Sequence, residues 1–141
     1  MIIGITGKIG SGKTTLANYL VGKYWYKEYS MGKPLKEIGA IFGFTKEQLY
    51  GTQEQKLQIH PVWGISARHF LQKVGTELFR DCLPKVIPEM KTQSTVWVDL
   101  FKIKYIQQPD LYVVPDLRFL DEARAISELG GIIIRTIREN N

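Results

Sequence analysis

Cysteine is almost absent from this chain: of 141 residues, only Cys82 is one. That excludes a disulfide framework and leads us to expect a reducing, cytoplasmic setting. Long apolar runs are missing too. Leu111–Val114 and Ile132–Ile134 fall far short of the ~18 residues of a spanning helix, so no membrane segment is expected. The N-terminus opens Met-Ile-Ile-Gly-Ile without an early charge and then meets Lys8, unlike a secretory leader. Acid is absent from residues 1–27, which carry Lys8, Lys13, Lys23 and Lys27. His60 and His69 have no cysteine or carboxylate partners at metal-ligand spacing, so zinc is not expected.

What is present fits one globular domain over residues 1–141, with 44% hydrophobic residues. Nineteen basic residues against 14 acidic give a net charge of +5, which attracts polyanions such as nucleic acids or phosphorylated metabolites. No block of like charges marks a nucleic-acid tail, so small phosphorylated molecules are the favoured partners.

Periodicity predicts alternating strands and helices. Met1–Gly7 reads as a buried strand, followed by a helix from Gly12–Lys13 through Leu16, Ala17 and Leu20. Lys27–Met31 reads as a short strand. Pro34 suits the first turn of a helix bearing Leu35, Ile38, Ile41 and Phe42 on one side, with Gly43 ending it. Ser66 is a candidate N-cap for a helix carrying Phe70, Leu71, Val74, Leu78 and Cys82 on its packed face, broken at Pro84 and Pro88. Ser94 is expected to cap a further helix through Val96, Trp97, Leu100 and Ile103. Leu111–Val114 reads as a central strand, Glu122–Leu129 as a helix with Ala123, Ile126 and Leu129 inward, and Ile132–Ile137 as the last strand. Continuously apolar strands between helices point to an α/β fold, a mostly parallel sheet with helices on both faces.

Gly7-Lys8-Ile9-Gly10-Ser11-Gly12-Lys13-Thr14 completes G-x-x-x-x-G-K-[ST] between a strand and a helix. Glycines let backbone N–H groups turn around phosphate oxygens, and the helix N-terminus adds positive partial charge. These residues and the adjoining Thr15 are therefore candidates for binding ATP. Lys13 is expected to reach the β- and γ-phosphates, with the Thr14 hydroxyl in the Mg²⁺ shell. Asp116 follows the apolar strand, where a carboxylate can face the nucleotide and orient magnesium. Arg118 would add positive charge near the transferring phosphoryl group. Asp121 is the expected helix cap, and Glu122 is either functional or a first-turn acid complementing the helix dipole.

At about 100° per residue, Arg68, Gln72 and Thr76 share the helix side opposite Phe70, Leu71, Val74 and Leu78, with Arg80 at the edge. Arginine and glutamine one turn apart can hold a phosphate and read a base, but a solvated face has the same pattern. Lys33 and Lys36 bind an acceptor phosphate or sit in solvent. Trp63 and Phe44 stack a base or fill the core.

The motif at 7–14, Met31-Gly32-Lys33-Pro34-Leu35-Lys36, Tyr50-Gly51-Thr52, Ser66-Ala67-Arg68 with Leu71-Gln72, Gly75-Thr76-Glu77 with Arg80, and Asp116-Leu117-Arg118-Phe119 with Glu122 together resemble the deoxynucleoside monophosphate kinases of bacteriophages and other viruses. The resemblance runs in order over nearly all of the chain. It implies a P-loop nucleotide-kinase fold with a helical acceptor-binding region over about 33–106, and ATP-dependent phosphorylation of a dNMP with Mg²⁺. It also implies acceptor contacts by Arg68 and Gln72, phosphoryl-transfer roles for Asp116 and Arg118, and, for a viral protein, the host cytoplasm. A homodimer is compatible with it. Met31-Gly32 stands where the family often has Ala-Asp, and the chain is short at the C-terminal end relative to the family pattern, leaving Arg135 and Arg138 as candidate lid cations. The alternatives are an enzyme resembling dephospho-coenzyme A kinase, whose acidic motif after the second strand is replaced here by Lys33–Lys36, and a non-catalytic nucleotide- or nucleic-acid-binding module.

Overall fold

The computed structural model describes residues 1–91 and 95–139. The chain forms two compact units, one of Met1–Met31 with the chain from Trp97 onward, the other of Gly32–Val96.

The first unit is built on a sheet in the order β2-β3-β1-β4, with every strand pair parallel among the described residues. The strands are β1 (Ile2–Gly7), β2 (Lys27–Glu28), β3 (Tyr112–Val114) and β4 (Ile132–Thr136). Strand side chains alternate between faces, so each face of β1 and β3 packs its own core. On one face Ile2, Tyr112 and Val114 meet Phe101 of α7 (Val96–Gln107) and Ile126 of α8 (Leu120–Glu128). On the other, Ile3, Ile5 and Val113 pack on Ala17 and Leu20 of α1 (Lys13–Tyr24). The expected α/β architecture with helices on both faces is therefore observed.

Several local expectations change. β2 stops at Glu28 rather than reaching Met31, although Tyr29 still donates a backbone hydrogen bond to Val113 O. β4 is an edge strand, so its apolar residues are not all covered: Ile132 and Ile133 are exposed. In α7 the buried residues are Val96, Val98 and Phe101, whereas Leu100 and Ile103 face outward. The cap expected at Ser94 lies outside the described residues. α8 begins after Phe119, so Asp121 lies inside its first turn rather than at the cap position, and Glu122 Oε1 accepts from Arg118 N at 3.0 Å and Phe119 N at 2.9 Å.

The second unit is helical: α2 (Lys33–Ile41), α3 (Lys46–Tyr50), α4 (Gln53–Lys56), α5 (Ala67–Gln72), a π-helical segment Lys73–Cys82, and α6 (Leu83–Val86). Phe44, Leu49, Ala67 and Phe70 form its core, so Phe44 is a packing residue; Trp63 is half-exposed, its indole donating to Phe42 O at 2.6 Å. Pro34 lies in the first turn of α2 as expected, but Ile41 is exposed. Ser66 caps α5, accepting from His69 N at 3.1 Å.

From Lys73 the hydrogen bonds lengthen to i→i+5, which turns each residue through less than 100° and shifts the face pattern. Leu78 and Cys82, expected on the packed face, are consequently exposed. Pro84 does not break the run; it sits in the first turn of α6, where its missing N–H is tolerated.

Candidate functional site

Gly7 through Gly12 link β1 to α1, as the motif requires. The backbone is left-handed at Gly10 (φ 76°) and Gly12 (φ 101°), conformations a side chain would strain, and the positions where their Cβ atoms would lie are open. Thr14 and Thr15 are exposed in the first turn of α1, and Ile9 is fully exposed. Thr136 Oγ1 donates to Thr6 O at 3.3 Å, leaving it to accept from Ser11 Oγ at 2.7 Å. β4 thus pins the loop from the side.

Lys13 folds back over the loop. Its Nζ donates to Gly7 O at 2.7 Å and lies 3.2 Å from Asp116 Oδ1. The other carboxylate oxygen of Asp116 accepts from Arg118, from Nε at 3.0 Å and from Nη2 at 2.9 Å. Partial burial pushes the Asp116 carboxyl upward, but hydrogen bonds from Arg118 and Lys13, with their charges, outweigh it and hold the group below its ordinary value. Asp116 is placed by Pro115 at the carboxyl end of β3, and Arg118 by its backbone bond to Glu122. Glu122, left open between two roles by the sequence, is thus an anchor of the segment that carries Arg118.

A cavity of about 400 Å³ is lined by Lys8, Gly10, Ser11, Arg135, Thr136 and Arg138 among others. Arg138 Nη1 donates to Gly10 O at 3.3 Å. Both candidate lid arginines therefore border the glycine-rich loop. Thr136 was not anticipated from sequence; its contacts depend on the parallel register of Gly7 with Thr136.

The remaining candidates lie in the second unit. Lys33 is exposed at the start of α2, and Lys36 Nζ sits 4.5 Å from the Tyr50 ring centroid. Arg68 Nη2 donates to Gln53 Oε1. Gln72 is exposed at the end of α5, and Thr76 and Arg80 are exposed in the π-helical segment. The wider turn that begins at Lys73 still brings residues four apart close together in angle, so Arg68, Gln72, Thr76 and Arg80 remain on one side of the helical run. Thr45 and Thr52 cap α3 and α4 in reciprocal capping boxes with Gln48 and Gln55. The Thr-x-x-Gln spacing was the sequence signal for both.

A parallel sheet flanked by helices, with a glycine-rich phosphate loop and a carboxylate at the end of the neighbouring strand, is the fold of the P-loop nucleotide kinases. No family model matches the chain. A protein of Acanthamoeba polyphaga mimivirus, provisionally named a deoxynucleotide monophosphate kinase, is 39% identical over 145 residues, covering 98% of this chain and 74% of the viral protein. The chain belongs to this deoxynucleotide monophosphate kinase family. Among the described residues no helix is long and apolar enough to cross a membrane.

Proposed function

We propose that the protein transfers the γ-phosphoryl group of ATP to a deoxynucleoside monophosphate, giving ADP and the deoxynucleoside diphosphate. The observation that carries this reading is the Lys13–Asp116–Arg118 cluster beside the phosphate loop, which gathers two cations and one carboxylate where a triphosphate would end. The viral relative supports the acceptor class.

The acceptor nucleophile is already a phosphate oxygen, so the reaction needs no strong base. Positioning and charge neutralisation supply the rate. The loop amides and the N-terminus of α1 hold the phosphates. Lys13 exchanges Asp116 for phosphate oxygens, and Arg118 meets charge developing on the transferring group. Thr14 and Asp116 offer only oxygen donors, a set that fits Mg²⁺. Bound there, the ion would neutralise phosphate charge. Arg68, Gln72, Lys33 and Lys36 are assigned to the acceptor, with Thr76 and Arg80 beside them. Arg135 and Arg138 are assigned to the lid.

A coupled ADP-release assay against dNMPs, NMPs and dephospho-coenzyme A tests the reading. Turnover confined to dNMPs, or fastest with them, is expected. No turnover of any dNMP, or a preference for dephospho-coenzyme A, refutes it.

A further inference from the structure

The second unit contains a convergence of positive charge larger than the sequence motif marks. Lys36 on α2 lies over the Tyr50 ring at 4.5 Å. Burial first, and then the charge of Lys56, hold the Lys36 ammonium below its ordinary value. Lys56 closes α4 one helical turn after Gln53, so the two share a face. Gln53 accepts from the Arg68 guanidinium through its side-chain oxygen. These links connect three cations from three helices, with Lys36 against the Tyr50 ring. Among the described residues none of the three forms an ion pair with a carboxylate.

The scaffold beneath them is rigid. Capping boxes at Thr45–Gln48 and Thr52–Gln55 fix the starts of α3 and α4. Between the helices, any side chain at Gly51 would collide with the Glu47 carbonyl and the Gln55 side chain. Tyr50, Gln53 and Lys56 are therefore carried on a turn with little freedom. Holding like charges together without a counter-charge is unfavourable, and the arrangement becomes favourable when a multiply charged anion enters.

We infer that Lys36, Lys56 and Arg68 form the cradle for the dianionic phosphate of the acceptor nucleotide, with Lys56 a further substrate contact. Gln53 positions the Arg68 guanidinium, and the Tyr50 ring walls the Lys36 side. This rests on the proposed kinase reading for the nature of the acceptor, but it is tested by binding, independently of turnover.

The test compares the unaltered protein with Lys56→Gln and Lys56→Arg. Equilibrium binding of each common dNMP, its deoxynucleoside and inorganic phosphate is measured alongside thermal melting. Steady-state kinetics give KM for dNMP and for ATP separately. Loss of one charge-assisted contact should weaken dNMP binding about tenfold or more in Lys56→Gln. Lys56→Arg should recover most of that loss, while deoxynucleoside binding and KM for ATP stay unchanged. Wild-type dNMP affinity in Lys56→Gln, an equal loss for the deoxynucleoside, or no binding of dNMP or phosphate by the unaltered protein overturns the cradle. If dNMPs bind as expected but no ADP is released, the cradle stands and the kinase reading falls.

Discussion

Replacing Lys13 by alanine should separate catalysis from folding. In the structure Lys13 makes two bonds, one to Gly7 O and one to Asp116, and its side chain is 18% exposed against 42% for Asp116. A pair this open to water contributes about 1 kcal/mol or less, and the backbone hydrogen bond about 1 more. Asp116 is not orphaned by the change, because Arg118 still holds its other oxygen at 2.9–3.0 Å. The folding cost should therefore stay below about 2 kcal/mol, a fall in Tm of no more than roughly 8 °C for a chain of this size. The catalytic cost is different in kind. Removing a preorganised positive donor from developing charge costs about 2.7–4 kcal/mol, or roughly 10²–10³ in rate. The assays are ADP release with saturating dNMP and thermal melting of the same preparation. Turnover within tenfold of the unaltered protein, with the fold intact, would refute charge neutralisation by Lys13. A collapse of the melting transition would refute the stability estimate.

Asp116→Asn should also abolish most turnover, and its folding effect should depend on pH. The folded carboxyl lies below its ordinary value of 3.8, so its stabilisation is complete above about pH 4 and is lost as pH falls through the folded value. The Tm gap between the two proteins should be constant above pH 4 and narrow below it; a gap that widens in acid contradicts the assigned ion pairs. Phe101→Ala empties a site that is 1% exposed and 4.8 Å from the Tyr29 ring, and should cost about 3–5 kcal/mol by urea denaturation. A loss under 1 kcal/mol would show that this face of the sheet is not a close-packed core. Gln72→Ala should leave the Tm unchanged, because Gln72 is exposed, and should alter the ranking of dNMP bases more than the best rate. An unchanged ranking in dNMP-panel kinetics removes Gln72 from the acceptor site.

The glycine-rich loop between β1 and α1 was readable from the chain alone because its backbone path is set locally. Glycines at 7, 10 and 12, Lys13 and the flanking apolar strand specify a backbone path within about a dozen residues. The parallel α/β class followed for a similar reason, since Ile2–Ile5 and Tyr112–Val114 are apolar without alternation and so must be covered on both faces. Asp116 was visible through its place at a strand end, but its shared hold on Lys13 and Arg118 was not. The Lys13–Asp116 contact joins residues more than a hundred positions apart and exists only once β3 lies beside β1. Thr136 reaches Ser11 by the same long-range route, through the register of β4. The helix after Ser66 shows the opposite limit. Its start was marked by its cap, yet projection at a fixed angle misplaced Leu78 and Cys82, because a shift to i→i+5 bonding leaves no signature in residue spacing. That shift turned Leu78 and Cys82 outward. The contacts of Lys36 with Tyr50 and of Arg68 with Gln53 were likewise decided by tertiary structure: the caps of α3 and α4 could be read locally, but these contacts cross between helices, and α3 and α5 are brought together by the packing of Leu49 on Ala67 and Phe70.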